Sequence, residues 1–285
     1  MLATLQQVLS IATQRGHGLG ACNVFGYEDA SAVIAAAEEV GSPVVLMTNT
    51  VAIQHMDLEI LGPLLLNLAD RAQTQVCVHL DHGTELSVIQ KALDVGYSSV
   101  MFDGSQLSME ENVSLTQEVA ALAHRVGSSV EAEIGAVGYS DPSIAVTARY
   151  TTVEEARQFC SQVSIDALAV AVGNVHRMED QRAELQFDLL RGISDAVDVP
   201  IVIHGASGIP DADLPKLIAC GACKINIGTA LRMAFGETLR EQYIRNPREY
   251  DRIKFYPACM DAVRTKTKEK LWLLQKPYVS EEEQK

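Results

Sequence analysis

Eight short apolar, β-branched runs recur along the chain: GLGACNVF, SPVVLMT, TQVCVHLD, SSVMFDG, SSVEAEIG, IDALAVAVG, VPIVIHGASG and CKINIGTA. The segments between them carry helical periodicity, as in EDASAVIAAAEEVG, TELSVIQKALDVG, MEENVSLTQEVAALAHRVG and VEEARQFCSQV, and several end on a glycine suited to a helix C-terminus. A strand followed by a helix eight times over predicts an α/β fold closed into a (β/α)8 TIM barrel. A doubly wound open sheet is the competing architecture, but even spacing and the lack of G-x-G-x-x-G after the first run favour closure. At 285 residues the chain fits one such barrel, expected to occupy residues 1–285 as a single domain. The segment from Gly236 onward, ending in TKTKEKLWLLQKPYVSEEEQK, reads as an extra C-terminal helical segment and a charged tail.

With 47% hydrophobic and 21% charged residues, the chain can bury a large core and carries no disorder signature. The first twenty residues read as an amphipathic helix without the architecture of a signal peptide, which makes the cytoplasm the expected compartment. A net charge of −14 argues against nucleic acid and anionic membranes as partners, and any phosphate substrate would have to be held by local groups. The six cysteines are scattered, and the single CxxC, Cys220 to Cys223, bridges a helix end and an apolar strand, which favours a structural reading.

In a barrel the chemistry sits at the C-terminal ends of the strands. Asn23, Thr48, Asp81 with His82, Asp103, Glu133, His176, His204 and Asn226 fall there. His82, His176 and His204 follow the third, sixth and seventh runs and should converge at one mouth, where three imidazoles and an open position make a catalytic zinc site. His17 and His124 sit in polar helix-end contexts, His55 in a loop or at a helix start, and His79 lies inside the third strand; none is expected to ligate metal. HGASG (204–208) and NIGT (226–229) place small residues after the seventh and eighth strands, where barrels bind phosphate through backbone N–H groups and a helix N-terminus. Period-two alternation puts Lys224 on the face of Asn226 and Glu131 on the face of Glu133, so an internal Lys–Glu network is expected.

CNVFG, HLDHG, SSVMFDGS, SVEAEIG, LAVAVGNVH, IVIHGASG and KINIGT together make the chain resemble the class II, zinc-dependent fructose-bisphosphate and tagatose-bisphosphate aldolases over essentially its whole length. The resemblance implies one catalytic Zn2+ held by His82, His176 and His204, polarising a ketone carbonyl, with room for a monovalent cation. It implies that Asp81 exchanges the proton of the substrate's C4 hydroxyl. Gly205, Ala206, Ser207 and Asn226, Ile227, Gly228 and Thr229 would hold dihydroxyacetone phosphate, with Asn23 and Thr48 lining the same mouth. Asp103 and Glu133 would orient ligands or take a second cation. The implied partners are a phosphorylated ketose, further copies of the chain as a homodimer or homotetramer, and in some branches a companion subunit.

Two positions depart from the family pattern. After the fifth strand GYSDPS replaces a glycine-glycine loop with a following glutamate, putting Tyr139 at the second glycine and Asp141 where the proton-transferring glutamate would fall. After the second histidine ligand, Arg177 stands where the family has glycine, and is expected to clamp or obstruct a phosphate. The competing functions are an aldolase for another phosphorylated keto-sugar or keto-sugar acid, a Schiff-base aldolase using Lys224, and a non-catalytic or metabolite-binding barrel.

Overall fold

The computed structural model describes residues 1–140 and 148–278. Its centre is a closed barrel of eight parallel strands: β1 (Leu19–Asn23), β2 (Val44–Thr48), β3 (Val76–Gly83), β4 (Ser99–Phe102), β5 (Ser129–Ile134), β6 (Ala167–Val170), β7 (Ile201–Ile203) and β8 (Ala222–Ile227). Each expected run supplies one strand. Each strand pairs with the next in the chain, and β8 closes on β1 with Leu19 opposite Lys224 and Cys22 opposite Ile227. Parallel neighbours need long crossovers, which the intervening helices provide. Gly41 and Gly96 end two of these helices in the left-handed conformation, at φ 67° and 102°.

Alternation sorts each strand into two faces. Val44, Leu46, Val76, Val78, Leu80, Val100, Phe102, Ile225 and Ile227 pack outward into the core shared with the helices. Leu19, Ala21, Val45, Met47, Cys77, Met101, Ala167, Ala169 and Val202 fill the barrel interior. Helix α1 (Leu5–Gln14) contributes Leu5, Val8, Leu9 and Ala12 to that inner cluster, so its apolar face plugs one end of the barrel. Above the apolar floor the interior turns polar, with His79, Ser99, Glu131 and Lys224 buried in it.

Gly236 is not a boundary. The helix after β8 runs through it from Thr229 to Arg245, and a Cβ there would meet nothing within 4 Å, so the glycine costs the helix only its intrinsic propensity. A further helix, Tyr256–Gln275, packs against helices Tyr27–Val40 and Thr229–Arg245. No helix among the described residues is long and apolar enough to cross a membrane.

Candidate active site

The open end of the barrel gathers the polar ends of the strands. Strict alternation would send Asp81 inward and His82 outward. Instead the β3–β4 register shifts between Leu80 and Gly83, and His82 takes a left-handed backbone, φ 53°, which a residue with a side chain adopts at a cost. Both side chains therefore line the same pocket, together with His176 and His204. His82 Nε2 and His204 Nδ1 lie 3.1 Å apart, and one nitrogen from each of His82, His176 and His204 falls within 4.8 Å of the others. Two nitrogens bound tetrahedrally at zinc-like lengths would be separated by roughly 3.3 Å.

The surrounding carboxyl groups fix which nitrogens face the centre. Asp103 Oδ2 pairs with His82 Nδ1 at 2.8 Å, leaving Nε2 toward the centre. Glu131 Oε1 pairs with His204 Nε2 at 3.0 Å, leaving Nδ1. Glu131 Oε2 accepts from Lys224 Nζ at 2.8 Å, and the same ammonium donates to Asn226 Oδ1 at 2.8 Å, so the expected Lys–Glu network is present. This leaves Lys224 fully buried and off the pocket lining, a poor position for Schiff-base chemistry.

The field at the centre favours a cation. Burial opposes charge on His82, but Asp81, the bonded Asp103 and Glu133 outweigh it and push its pKa up to about 10. Burial, then the neighbouring His82, holds His204 and His176 well below the ordinary imidazole value. Burial, reinforced by Asp103, lifts Glu133 well above the usual carboxylate range, and its Oε2 is buried without a hydrogen-bond partner, 3.6 Å from His204 Nδ1. Three converging imidazoles, two of them oriented by carboxyl groups, and an orphaned carboxyl oxygen fit a divalent metal.

Beside the three histidines, Asp81 is 3% exposed. Its Oδ2 accepts from Asn23 Nδ2 at 2.8 Å and its Oδ1 from Asn226 Nδ2 at 3.4 Å. Burial works against its ionisation, but His82, His204, Lys224 and the Asn23 hydrogen bond together hold its carboxyl below the usual range. A buried, ionised, doubly anchored carboxylate is suited to accept a proton.

Of the remaining expected residues, Asn23, Arg177, Gly205, Ser207, Asn226, Gly228 and Thr229 line the pocket. Ser207 Oγ accepts from Ala230 N at 2.9 Å, tying the loop after β7 to the helix start after β8. Three expected residues lie elsewhere. Thr48 is fully buried with its hydroxyl 3.0 Å from Tyr97 Oη, because alternation along β2 turns it outward with Val44 and Leu46. Ile227 faces the same helix-side core by the alternation of β8, and the Ala206 methyl is buried in that core too. His55 ends the short helix Thr50–His55 rather than starting one. Asp141 lies outside the described residues.

The pocket also contains Phe25, Asn49, Thr50, Val51, Tyr139 and Arg232, which the sequence did not single out as site residues. Arg232 was within reach of sequence reasoning, since it sits three residues past Thr229 on a helix opening at the mouth. Its guanidinium lies 5.2 Å from the Phe25 ring centroid. Tyr139 comes from a two-residue strand, Gly138–Tyr139, paired in parallel with Val175–His176. Burial, reinforced by Asp103 and Glu133, pushes its phenol up to about 12. Arg177 has φ 59°, a backbone conformation ordinarily left to glycine.

Three converging histidines and an anchored aspartate at the mouth of a closed α/β barrel make a candidate metal-dependent active site. Residues 3–277 match the family model for fructose-bisphosphate aldolase class II, and the chain belongs to that family. It is 38% identical over 267 residues to sulfofructosephosphate aldolase of Alkalicoccus urumqiensis, covering 93% of both chains. It is 36% identical to the D-tagatose-1,6-bisphosphate aldolase subunit GatY of Klebsiella oxytoca, covering 85% of this chain and 86% of the other. The crystal structure of the YdjI aldolase from Escherichia coli K12 superposes with a TM-score of 0.84 at 33% identity, covering 96% of this chain and 97% of that one. The chain is thus a class II aldolase, an aldehyde-lyase acting on a ketose phosphate.

Proposed function

We propose that this protein is a zinc-dependent aldolase that reversibly cleaves a phosphorylated ketose of the tagatose- or fructose-1,6-bisphosphate type. Its products would be dihydroxyacetone phosphate and an aldehyde such as glyceraldehyde 3-phosphate. The observation that carries this reading is the convergence of His82, His176 and His204 on one pocket with Asp81 beside them. Zinc bound by these three side chains would supply a Lewis acid that polarises the ketose carbonyl and stabilises the charge developing on that oxygen.

The chain's own residues divide the remaining work. Asp81, ionised and held through both oxygens, accepts the proton of the C4 hydroxyl during cleavage and returns it during condensation. Gly205 and Ser207, facing Gly228 and Thr229 across the Ser207–Ala230 hydrogen bond, bring small residues and a helix N-terminus to the phosphate. Arg177 adds a fixed positive charge to the wall of a pocket in a chain of net charge −14, where it clamps an anionic group of the substrate. Asp141 is assigned the loop proton transfer at C3 of dihydroxyacetone phosphate, and Asp103 and Glu133 orient the histidines or take a second cation.

Relatives named for sulfofructosephosphate, tagatose bisphosphate and fructose bisphosphate stand at comparable identity, so the sugar must be settled by assay. The test is turnover of a panel of ketose mono- and bisphosphates, including one carrying a sulfonate, by the zinc-loaded protein. EDTA should abolish cleavage, added zinc or cobalt should restore it, and borohydride with substrate should leave the protein unmodified. Full activity in verified metal-free protein would overturn the reading. Absence of turnover across the panel would overturn the proposed substrate.

A further inference from the structure

The three histidines at the barrel mouth are not supported alike. His82 is tied through Nδ1 to Asp103 and His204 through Nε2 to Glu131. His176 makes no side-chain hydrogen bond among the described residues. Its ring instead lies against Tyr139, with centroids 4.7 Å apart and planes tilted by 31°, while its contacts with the His82 and His204 rings are edge-on. A metal-bound imidazole needs its ring orientation fixed by something outside the metal, usually an acceptor for the second nitrogen.

We propose that Tyr139 is a positioning residue that holds His176 in its metal-binding orientation by ring stacking, taking the place of the carboxyl partner that His82 and His204 each have. This rests on the reading of the three histidines as a zinc site. The backbone makes the stack a fixed one. Tyr139 is directly opposite His176 in the two-residue parallel ladder, with Gly138 opposite Val175. Ser140 extends the lock, its N–H donating to the His176 carbonyl at 3.0 Å and its hydroxyl to the Arg177 carbonyl at 2.7 Å. The flat face and the ligand are therefore carried on adjoining backbone segments that move together. The Arg177 guanidinium sits 5.7 Å from the same ring centroid, restricting the phenol from a further direction. A ring gives a face for stacking, as aromatic pairs at this separation do, whereas a small residue in its place would leave the imidazole free to turn about its own side-chain bonds.

The experiment uses the full chain with Tyr139→Phe, Tyr139→Leu and Tyr139→Ala, reading zinc affinity by competition with a chromophoric chelator and the visible spectrum of the cobalt-substituted protein. Tyr139→Ala and Tyr139→Leu are expected to weaken zinc binding by about 10- to 100-fold and to alter the cobalt spectrum, the scale seen when a ligand's outer support is removed. Tyr139→Phe, which keeps the flat face, is expected to restore wild-type affinity and spectrum. A general folding defect would instead lower the stability of the metal-free protein and leave the spectrum of the bound fraction unchanged. Wild-type zinc affinity and spectrum in Tyr139→Leu would overturn the proposal, as would a Phe variant as impaired as the other two. If the wild-type chain itself fails to bind zinc, the metal site falls and this inference with it, an outcome distinct from equal binding by all four proteins.

Discussion

Glu131 joins two buried cationic or cation-seeking groups: one oxygen pairs with His204 Nε2 at 3.0 Å and the other accepts from Lys224 Nζ at 2.8 Å. All three side chains are 1% exposed or less. The floor of the polar interior is thereby coupled to the proposed metal site, since the carboxyl that neutralises Lys224 also selects the ligating nitrogen of His204. Glu131→Gln keeps the shape but leaves Lys224 without a counter-charge. The expected loss is about 3–5 kcal/mol of unfolding free energy, the scale for breaking a buried ion pair. Zinc affinity should fall by about 10- to 100-fold in the same protein. Urea titration and chelator competition read the two effects, and retention of both properties would disconnect Glu131 from the site.

Asp81 tests the division between holding the metal and moving the proton. Replacing it with alanine should reduce turnover by about 10²-fold or more, as expected for removal of a general acid–base group. Zinc content by metal analysis should stay near the wild-type value, because in the proposed site His82, His176 and His204 supply the nitrogens. Loss of metal alongside activity would make Asp81 a structural support.

Arg177 separates backbone strain from substrate binding. Its φ of 59° costs a non-glycine residue about 1–3 kcal/mol, so Arg177→Gly relieves backbone strain while it removes the guanidinium. If the side chain clamps an anion, kcat/KM on the best phosphorylated ketose should drop by about tenfold, about 1.4 kcal/mol of transition-state binding. A rise in activity toward ordinary ketose bisphosphates would show that the arginine obstructs them.

His79 provides a pH signature in the metal-free protein. Burial, aided by Lys224, pushes its pKa down to about 3 from an ordinary value of 6.5. Its Nε2 is buried without a hydrogen-bond partner, while Nδ1 meets Ser99 Oγ at 2.8 Å. Between those two pH values the unfolded chain binds the proton and the folded chain does not, so stability falls as pH drops from about 6.5 toward about 3. His79→Gln cannot take up that proton and should flatten this part of the curve. Urea midpoints measured across that window check it, and an unchanged slope would remove His79 as the cause.

The barrel was legible in the sequence because each unit is local. Eight β-branched runs separated by helical periodicity leave few ways to bury both, and Gly41 and Gly96 mark helix ends through their own backbone preference. His82, His176, His204 and Asp81 were legible as candidates because strand ends in a closed barrel share one mouth, whatever their separation in sequence. The side-chain directions were less accessible. Thr48 and Ile227 sit at strand ends as expected, yet the period of two turns them to the helix layer, and the β3 irregularity does the reverse for His82. That irregularity has no local sequence cue, because it depends on how β3 pairs with β4. The Tyr139–His176 stack was likewise invisible, since the two residues are brought together by a two-residue ladder between separate loops. Sequence thus determined the scaffold and the inventory of chemical groups through short-range periodicity. Tertiary pairing alone decided which face each group meets and what holds it there, because register and loop contacts are set by non-local packing.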